Sequence, residues 1–208
     1  MSKSPRQTLR RFGLTSLFWL PLSFFVWYSW SSLLLLPVSR LSERVLTAVW
    51  GDTFYGLEQI GSRFVVEIFA LSEDGRTAVL AFELNPLIYG YGLPLLIGMI
   101  LAVPQSSRRQ LVLLALGYVL MLGVWLWGVV MDSLKTVLFD FPEQMQGLTL
   151  VRPEINLELV ALGYQLGYLI LPGVVPVAFW LGTHGAFIEQ ITGRSLSPPR
   201  KSATDSSD

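Results

Sequence analysis

The sequence has no cysteine and a single histidine, His184. Disulfide bonds, thiolate chemistry and cysteine metal sites are therefore excluded together. One histidine cannot form a histidine metal cluster within one chain, and no GxxxxGK phosphate loop is present. A catalytic triad needs a carboxylate that orients the imidazole, and the acids on the same predicted membrane side as His184 are Glu189, Asp205 and Asp208. We interpret His184 as a membrane-interface residue without a catalytic role.

Charge is also scarce, since 14% of residues are charged and 52% are hydrophobic. Such a composition is far from that of an average soluble protein. A transmembrane helix needs roughly 20 predominantly apolar residues. Uncharged runs of comparable length, 12–36, 86–103, 111–131 and 159–183, predict four transmembrane helices, and the last helix is extended by Glu158 to residues 158–183. Four buried helices of a soluble protein are the alternative, but uncharged runs this long are rare in such proteins.

The remaining charges are distributed asymmetrically although the net charge is zero. If both termini lie on one side, that side collects most of the basic residues: Lys3, Arg6, Arg10, Arg11, Arg108, Arg109, Arg194, Arg200 and Lys201. The positive-inside rule then predicts cytoplasmic termini. The cytoplasmic segments are 1–11, 104–110 and 184–208, and the Ser- and Pro-rich end of the last is expected to be disordered.

A secretory signal peptide is the alternative interpretation of the first span. Its apolar run is too long for a signal-peptide core, and residues 36–40 contain no A-x-A-like cleavage site. Arg10, Arg11 and Phe12 resemble a twin-arginine signal only loosely. We therefore predict an uncleaved signal anchor.

The first extracytoplasmic segment, residues 37–85, contains an amphipathic helix and a β-hairpin. Apolar residues recur at helical spacing between 38 and 50, which predicts an interfacial helix. Two β-branched and aromatic runs, 63–71 and 77–84, flank Asp74-Gly75, a strong hairpin signal. If Glu73 lies opposite Arg76, then Phe69 pairs with Leu80 and the face that carries Phe69 is buried.

An isolated hairpin is only marginally stable, so this hairpin requires cover. Candidate segments are 56–60 and, from the second outer loop, 147–151. We predict one small extracytoplasmic lobe formed by both outer loops. The second loop, residues 132–157, is also expected to carry an amphipathic surface helix at 132–145.

The junction between the hairpin and the second span, residues 85–94, is the most distinctive stretch. Asn85 suits an N-cap and Pro86 suits the first helical position. Pro94 cannot donate a hydrogen bond to Gly90, so a kink or an unwound turn is expected there. Such breaks occur in lipid where protein or water satisfies the backbone, and they line substrate sites in some transporters. Kinked packing and a ligand or partner contact are both open.

The last span contains Gly163 and Gly167 at the GxxxG spacing, which allows two helix backbones to approach closely. Both packing within the chain and contact with another chain's helix fit this pattern. Glu158 lies beside the same span. Partial burial there would make it a minor functional candidate.

The order of these features resembles the exosortase H-associated membrane protein family. The residues that carry the resemblance are 18–22 and 25–28 in the first span, the outer hairpin, and 85–95, and the resemblance covers roughly residues 11–193. It implies a small bacterial inner-membrane protein that accompanies an exosortase, a polytopic transpeptidase-like enzyme that uses Cys, Arg and His. Because this chain lacks cysteine, it resembles the companion and not the enzyme, and there are no catalytic residues to transfer.

The sequence and the resemblance together predict a polytopic α-helical membrane protein with a non-enzymatic accessory or scaffold role. The expected partners are membrane lipids and an exosortase or its export substrate, with no nucleic acid, metal or cofactor. The candidate structural or partner-contact residues are Asn85, Pro86, Tyr89, Gly90, Tyr91, Gly92, Pro94, Gly163 and Gly167. One alternative is an enzyme or transporter acting on a lipid-linked or small substrate near the kinked second span. Another is a structural protein of a different export system.

Overall fold

The computed structural model describes residues 5–72, 77–141, 148–149 and 156–192. The Asp74-Gly75 turn and the C-terminal tail, for which a tight turn and disorder are expected, lie outside these residues. Within them the protein is mostly helical. The helices are α1 (Pro5–Ser29), α2 (Ser31–Trp50), α3 (Leu87–Gly90), α4 (Gly92–Ala102), α5 (Ser107–Lys135), α6 (Leu157–Gln165), α7 (Leu171–Thr183) and α8 (Gly185–Thr192).

Three helical stretches are long and apolar enough to cross a membrane: Pro5–Ser29, Ser107–Asp140 and Leu157–Thr183. The protein is thus a helical membrane protein, but the predicted second span does not reach this length. Its helical residues, Leu87–Ala102, are interrupted at Tyr91. The glycines on either side of Tyr91 weaken the helix where Pro94 also removes a backbone donor.

The helices form a bundle with two distinct ends. The first, here called the terminal end, consists of the start of α1, the 103–106 turn, the end of α7 and α8, which contact one another. The second, the sheet end, consists of the β-sheet, α3, the end of α5 and the start of α6. The chain runs between these ends four times, along α1, α3 with α4, α5, and α6 with α7.

The predicted first span, residues 12–36, extends past a break in the structure. Trp30 leaves the helical conformation, with φ −107° and ψ 13°, and α2 begins at Ser31. The Ser31 hydroxyl lies 2.7 Å from the hydroxyl of Ser62, at the turn between the first two strands. The break between α1 and α2 therefore lies where the helix meets the sheet. The helix predicted at 38–50 is present as the second part of α2, but its apolar residues Val38, Leu46 and Trp50, which were expected at the membrane interface, are buried in the protein core.

The sheet consists of β1 (Phe54–Ile60), β2 (Arg63–Ser72), β3 (Thr77–Leu84) and the two-residue β4 (Leu148–Thr149). The predicted hairpin is confirmed, because β2 and β3 pair antiparallel. β1 and β4 also pair with β2. The two outer segments therefore join in one sheet, as expected from the need to cover the hairpin.

The hairpin register differs from the prediction by one residue. Phe69 pairs with Val79 and not with Leu80. A slip of one residue reverses the faces of a strand, so β2 buries Phe64, Val66 and Ile68 instead of the face that carries Phe69. The buried face of β3 was predicted correctly.

One hydrophobic core joins the sheet to the helices. Buried side chains of α2, β2, β3, α3 and α5 belong to the same cluster, which includes Leu46, Ile68, Leu84, Tyr89 and Trp125. The sheet is thus a continuation of the bundle and not a separate domain.

The predicted surface helix at 132–145 is wrong over its described part. Residues 132–135 complete α5, and Thr136–Asp140 continue it as a π-helical segment. The apolar residues Leu134, Val137 and Leu138 were expected at the membrane surface but are buried in the core. Residues 142–147 lie outside the described chain.

Candidate functional site

The junction at residues 85–94 begins with a capped helix, as the sequence predicts. The Asn85 side-chain oxygen accepts a hydrogen bond from the backbone N–H of Leu87 at 3.2 Å. The helix begins at Leu87, one residue later than expected. In addition, the carbonyl oxygen of Pro86 accepts a buried hydrogen bond from the indole Nε1 of Trp125 at 3.0 Å. Asn85 and Pro86, the two residues before the helix, are therefore both hydrogen-bonded.

The two glycines beside Tyr91 allow the broken helix to pack against its neighbours. A Cβ atom at Gly90 would overlap the indole ring of Trp125, and one at Gly92 would overlap the carbonyl oxygen of Pro172. Neither the ring nor the backbone can yield easily, so only glycine fits. α3 and α4 are thus held between α5 and α7.

Tyr89 and Pro94 complete this packing. A Cβ at Gly128 would overlap the ring of Tyr89, which means that the ring lies directly on the α5 backbone. Tyr89 is fully buried. The hydroxyl of Ser23 in α1 donates to the carbonyl oxygen of Pro94 at 2.8 Å. The junction residues therefore contact α1, α5 and α7, and Tyr91 remains half-buried.

The GxxxG pair of the last span faces α5 of the same chain. A Cβ at Gly163 would lie 2.7 Å from the sulfur of Met131, and one at Gly167 would lie 3.0 Å from the ring of Trp127. The Nε1 of Trp127 donates to the carbonyl oxygen of Gly163 at 2.9 Å. Of the two interpretations left open by the sequence, the described contacts correspond to packing within the chain.

A polar cluster lies beside this packing and was missed by the sequence analysis. It consists of Tyr89, Asp132, Lys135, Asp140 and Tyr164. Lys135 forms an ion pair with Asp140 at 2.6 Å, and its ammonium lies 5.7 Å from the centre of the Tyr164 ring. The Tyr89 hydroxyl is buried and interacts with the side chains of Asp132 and Tyr164.

The sequence contained a signal for part of this arrangement. Trp125 and Gly128 are three residues apart, which places them on one helix face, and that face receives α3. Asp132 and Lys135 share the same spacing, but they follow the uncharged run, and the sequence pattern therefore predicts a surface helix there. Both lie within the apolar helical stretch Ser107–Asp140, and ionisable residues within a span are rare and often functional.

A cavity of about 290 Å³ adjoins the helix break and is lined by Ile88, Tyr91, Tyr168 and Leu169. Tyr168 also stacks on Tyr164, with ring centres 6.1 Å apart. The cavity therefore lies between the helix break at Tyr91 and the polar cluster, and the stacked rings of Tyr168 and Tyr164 join its wall to that cluster. Glu158 is exposed at the start of α6 and does not line this cavity, contrary to the burial considered from the sequence.

His184 lies at the opposite, terminal end of the bundle. It is 2% exposed. Its Nδ1 lies 3.0 Å from the carbonyl oxygen of Trp180, and its Nε2 lies 3.4 Å from the Gln105 amide nitrogen. Burial lowers the pKa of His184, the nearby Arg109 charge lowers it further, and the hydrogen bond to Trp180 opposes both effects. No group of three or more metal-ligating side chains occurs in the described residues.

A comparison with family models matches residues 6–187 to the exosortase H-associated membrane protein family. The chain belongs to this family. Searches of curated proteins and of solved structures returned no match. The match spans all of the helices described above except the first residue of α1 and the end of α8, and it confirms the family resemblance.

Proposed function

We propose that the protein is a non-enzymatic accessory subunit that docks on an exosortase or on its export substrate. The observation that carries this proposal is the family match over residues 6–187. The family description names an association with an exosortase system. The chain also has no cysteine to act as a thiolate nucleophile.

The proposed topology has four membrane crossings with both termini in the cytoplasm of a bacterial inner membrane. The fourfold passage of the chain between the two bundle ends supports it. Leu87–Ala102 is the short crossing, about 24 Å long at 1.5 Å per residue, against a hydrocarbon core of roughly 30 Å. Because α4 packs against α1, α5 and α7, the protein shields the interrupted backbone from lipid.

The junction residues would then have a structural role. Pro86, Tyr89, Gly90, Gly92 and Pro94 are buried. Gly163 in α6 and Gly167 in the π-helical segment that follows it, Leu166–Ile170, support the same packing. These contacts fix the position of α3 and the sheet end. Among the candidate junction residues Asn85 is exposed and Tyr91 is half-buried, and Tyr91 lies beside the 290 Å³ cavity, where a partner could reach it.

An apolar patch on the outer face of the sheet is the surface that we propose for docking. Tyr55 is 58% exposed and Val79 is 48% exposed. The Tyr55 ring packs edge-on against Phe69 at 5.1 Å between centres, and Phe69 pairs with Val79. Exposed aromatic residues are enriched at protein interfaces. In the observed register Phe69 pairs with Val79 and lies on this outer face. The predicted register, shifted by one residue, would have buried Phe69, so the patch exists only in the observed register.

Co-purification with the exosortase from a mild detergent tests the proposal. The intact protein is expected to recover the enzyme, and the Phe69→Ser/Val79→Ser double variant is expected to recover at least about tenfold less, as for interface hot spots. Ile60→Ser is the matched control, since Ile60 is 58% exposed and lies outside the patch. Failure to recover any exosortase with the intact protein, under conditions that retain other membrane complexes, would contradict the accessory role.

The cavity beside Tyr91 supports a second candidate function, an enzyme or transporter that handles a lipid-linked or small substrate. Tyr91 and Tyr168 are the polar side chains that line it in the described residues. This candidate predicts that Tyr91→Phe reduces export of the sorted substrate even when the complex with the exosortase is intact. Unchanged export by Tyr91→Phe and Tyr168→Phe, which change the two polar side chains of the cavity, would exclude it.

A further inference from the structure

Two adjoining cavities lie at the terminal end of the bundle, away from the proposed docking patch on the sheet. Their volumes are about 270 and 190 Å³, and Pro104, Phe187 and Gln190 line both. They therefore border one another between α1, α8 and the turn before α5. This end of the bundle lies where the predicted spans begin or end.

The walls of these cavities are cationic. Arg11 lines the larger cavity and Arg109 lines the smaller one. No carboxylate is among their described lining residues. Arg109 is held in place because its Nη2 donates to the carbonyl oxygen of Thr183 at 2.7 Å. A guanidinium has five N–H donors, so this bond leaves donors for a ligand.

Gln105 contributes an unpaired acceptor to the smaller cavity. Its Nε2 donates to the carbonyl oxygen of Ile100 at 3.3 Å and lies 3.4 Å from His184 Nε2. His184 Nδ1 is 3.0 Å from the Trp180 carbonyl oxygen; with the proton on Nδ1, its Nε2 is an acceptor. The Gln105 amide nitrogen thus faces two acceptors, while its Oε1 is buried without a donor. Such an atom is costly unless a ligand or water donates to it.

The remaining wall is aromatic. The Phe12 ring stacks on Trp180 with centres 5.6 Å apart and lies 5.3 Å from the Phe187 ring. The site therefore combines cations, an unpaired acceptor and an apolar wall. A phosphate group bound to a hydroxyl- or ammonium-bearing headgroup and an acyl glycerol has the complementary chemistry.

We propose that the two cavities form one phosphate site for the headgroup of a membrane phospholipid, in which Arg11 and Arg109 bind the phosphate oxygens and Gln105 Oε1 accepts a hydrogen bond from the headgroup. A soluble phosphate ester shares the phosphate chemistry. The aromatic wall and the position at the end of the spans favour the lipid. The site concerns lipid binding and does not depend on the accessory role.

Thermal unfolding of the full-length protein in detergent tests this site, because a ligand that binds the folded state raises the midpoint, and at a given concentration a tighter ligand raises it further. The probes are phosphatidylglycerol, phosphatidylethanolamine, phosphatidylcholine, sn-glycerol 3-phosphate and inorganic phosphate. Phosphatidylglycerol or phosphatidylethanolamine is expected to raise the midpoint at concentrations where phosphatidylcholine, which lacks a headgroup donor, does not. Arg11→Gln and Arg109→Gln are each expected to weaken the apparent affinity roughly tenfold, the usual loss for a charge-assisted hydrogen bond.

Arg44→Gln is the matched control, since Arg44 is exposed on α2 and far from both cavities. Arg109→Gln also removes the hydrogen bond to the Thr183 carbonyl oxygen and can lower stability without any ligand. Arg11→Gln is therefore the variant whose effect reports on ligand binding. A midpoint that rises with sn-glycerol 3-phosphate or phosphate but with no lipid supports the phosphate site and identifies a soluble source. Equal effects of all three lipids, or an equal loss in Arg44→Gln and Arg11→Gln, would overturn the proposal.

Discussion

The indole N–H of Trp125 donates to the carbonyl oxygen of Pro86 at 3.0 Å, where both residues are buried. This hydrogen bond joins the middle of the α5 span to the residue that precedes α3. Since β3 ends at Leu84, the same contact also holds the sheet to the bundle. The position of the sheet end thus depends on one side chain that is 39 residues away in the sequence.

Trp125→Phe is expected to lower the free energy of unfolding by about 0.5–1.5 kcal/mol through loss of the indole hydrogen bond to the Pro86 carbonyl oxygen, which still accepts from the backbone N–H of Tyr89. An aromatic ring is retained, but phenyl is smaller than indole, so lost packing adds to this cost. Denaturation in mixed detergent micelles measures the effect. Trp30→Phe serves as the control, because Trp30 is 61% exposed. A Trp125→Phe protein as stable as the Trp30→Phe protein would show that the hydrogen bond is not required.

Gly90→Ala is expected to destabilise the protein by more than about 2 kcal/mol, since the added methyl group would overlap the ring of Trp125. Gly123 is the matched control within α5. Nothing lies within 4 Å of a Cβ built there, so Gly123→Ala is expected to be neutral or to stabilise the helix by up to about 1 kcal/mol. The difference in unfolding midpoint between the two variants measures the cost of the steric overlap between the added methyl group and Trp125. Equal midpoints would contradict the close contact.

His184 is expected to make stability depend on pH. Its pKa is lowered in the folded state by burial and by Arg109, whereas an unperturbed histidine has a pKa of about 6.5. The neutral ring therefore stabilises the fold fully above about pH 6.5, and this contribution is lost as the pH falls below 6.5 toward the lower, folded-state pKa.

His184→Asn tests this dependence, because asparagine keeps an N–H donor near the Trp180 carbonyl oxygen but does not titrate. Carboxylates titrate in the same experiment, so the quantity to compare is the difference between wild type and variant from pH 7.5 to 5. That difference is expected to shrink as the pH falls. A difference that is independent of pH would show that His184 titrates alike in the folded and unfolded states.

Some features were predictable from sequence because they depend on neighbouring residues. The Asn85 cap, the break near Pro94 and the hairpin strands are local patterns, and the structure contains each of them. The buried face of β3 was also predictable, since Phe82 and Leu84 alternate with the polar or small residues Ala81 and Glu83.

Other features depend on contacts between distant segments. Both faces of β2 are apolar, with Val65 and Phe69 on one side and Val66 and Ile68 on the other, so the pattern of that strand cannot select its buried face. Packing against α2 and α5 determines which face of β2 is buried. The Trp125 contact could not be predicted for a similar reason, because α5 is apolar on all sides and its sequence does not indicate which face receives α3.

The register of the hairpin can be tested with single cysteines, since the native chain has none. Val65 and Val66 are adjacent residues of the same type on opposite faces of β2, and Val66 is fully buried while Val65 is half-buried. A hydrophilic maleimide is expected to label Val65→Cys at least about tenfold faster than Val66→Cys, because reaction requires exposure of the thiolate. Val79→Cys, at a site that is 48% exposed, serves as the positive control. After denaturation both β2 variants should react at the same rate. Faster labelling of Val66→Cys in the folded protein would instead support the register in which Phe69 pairs with Leu80, and with it the loss of Phe69 from the proposed docking patch.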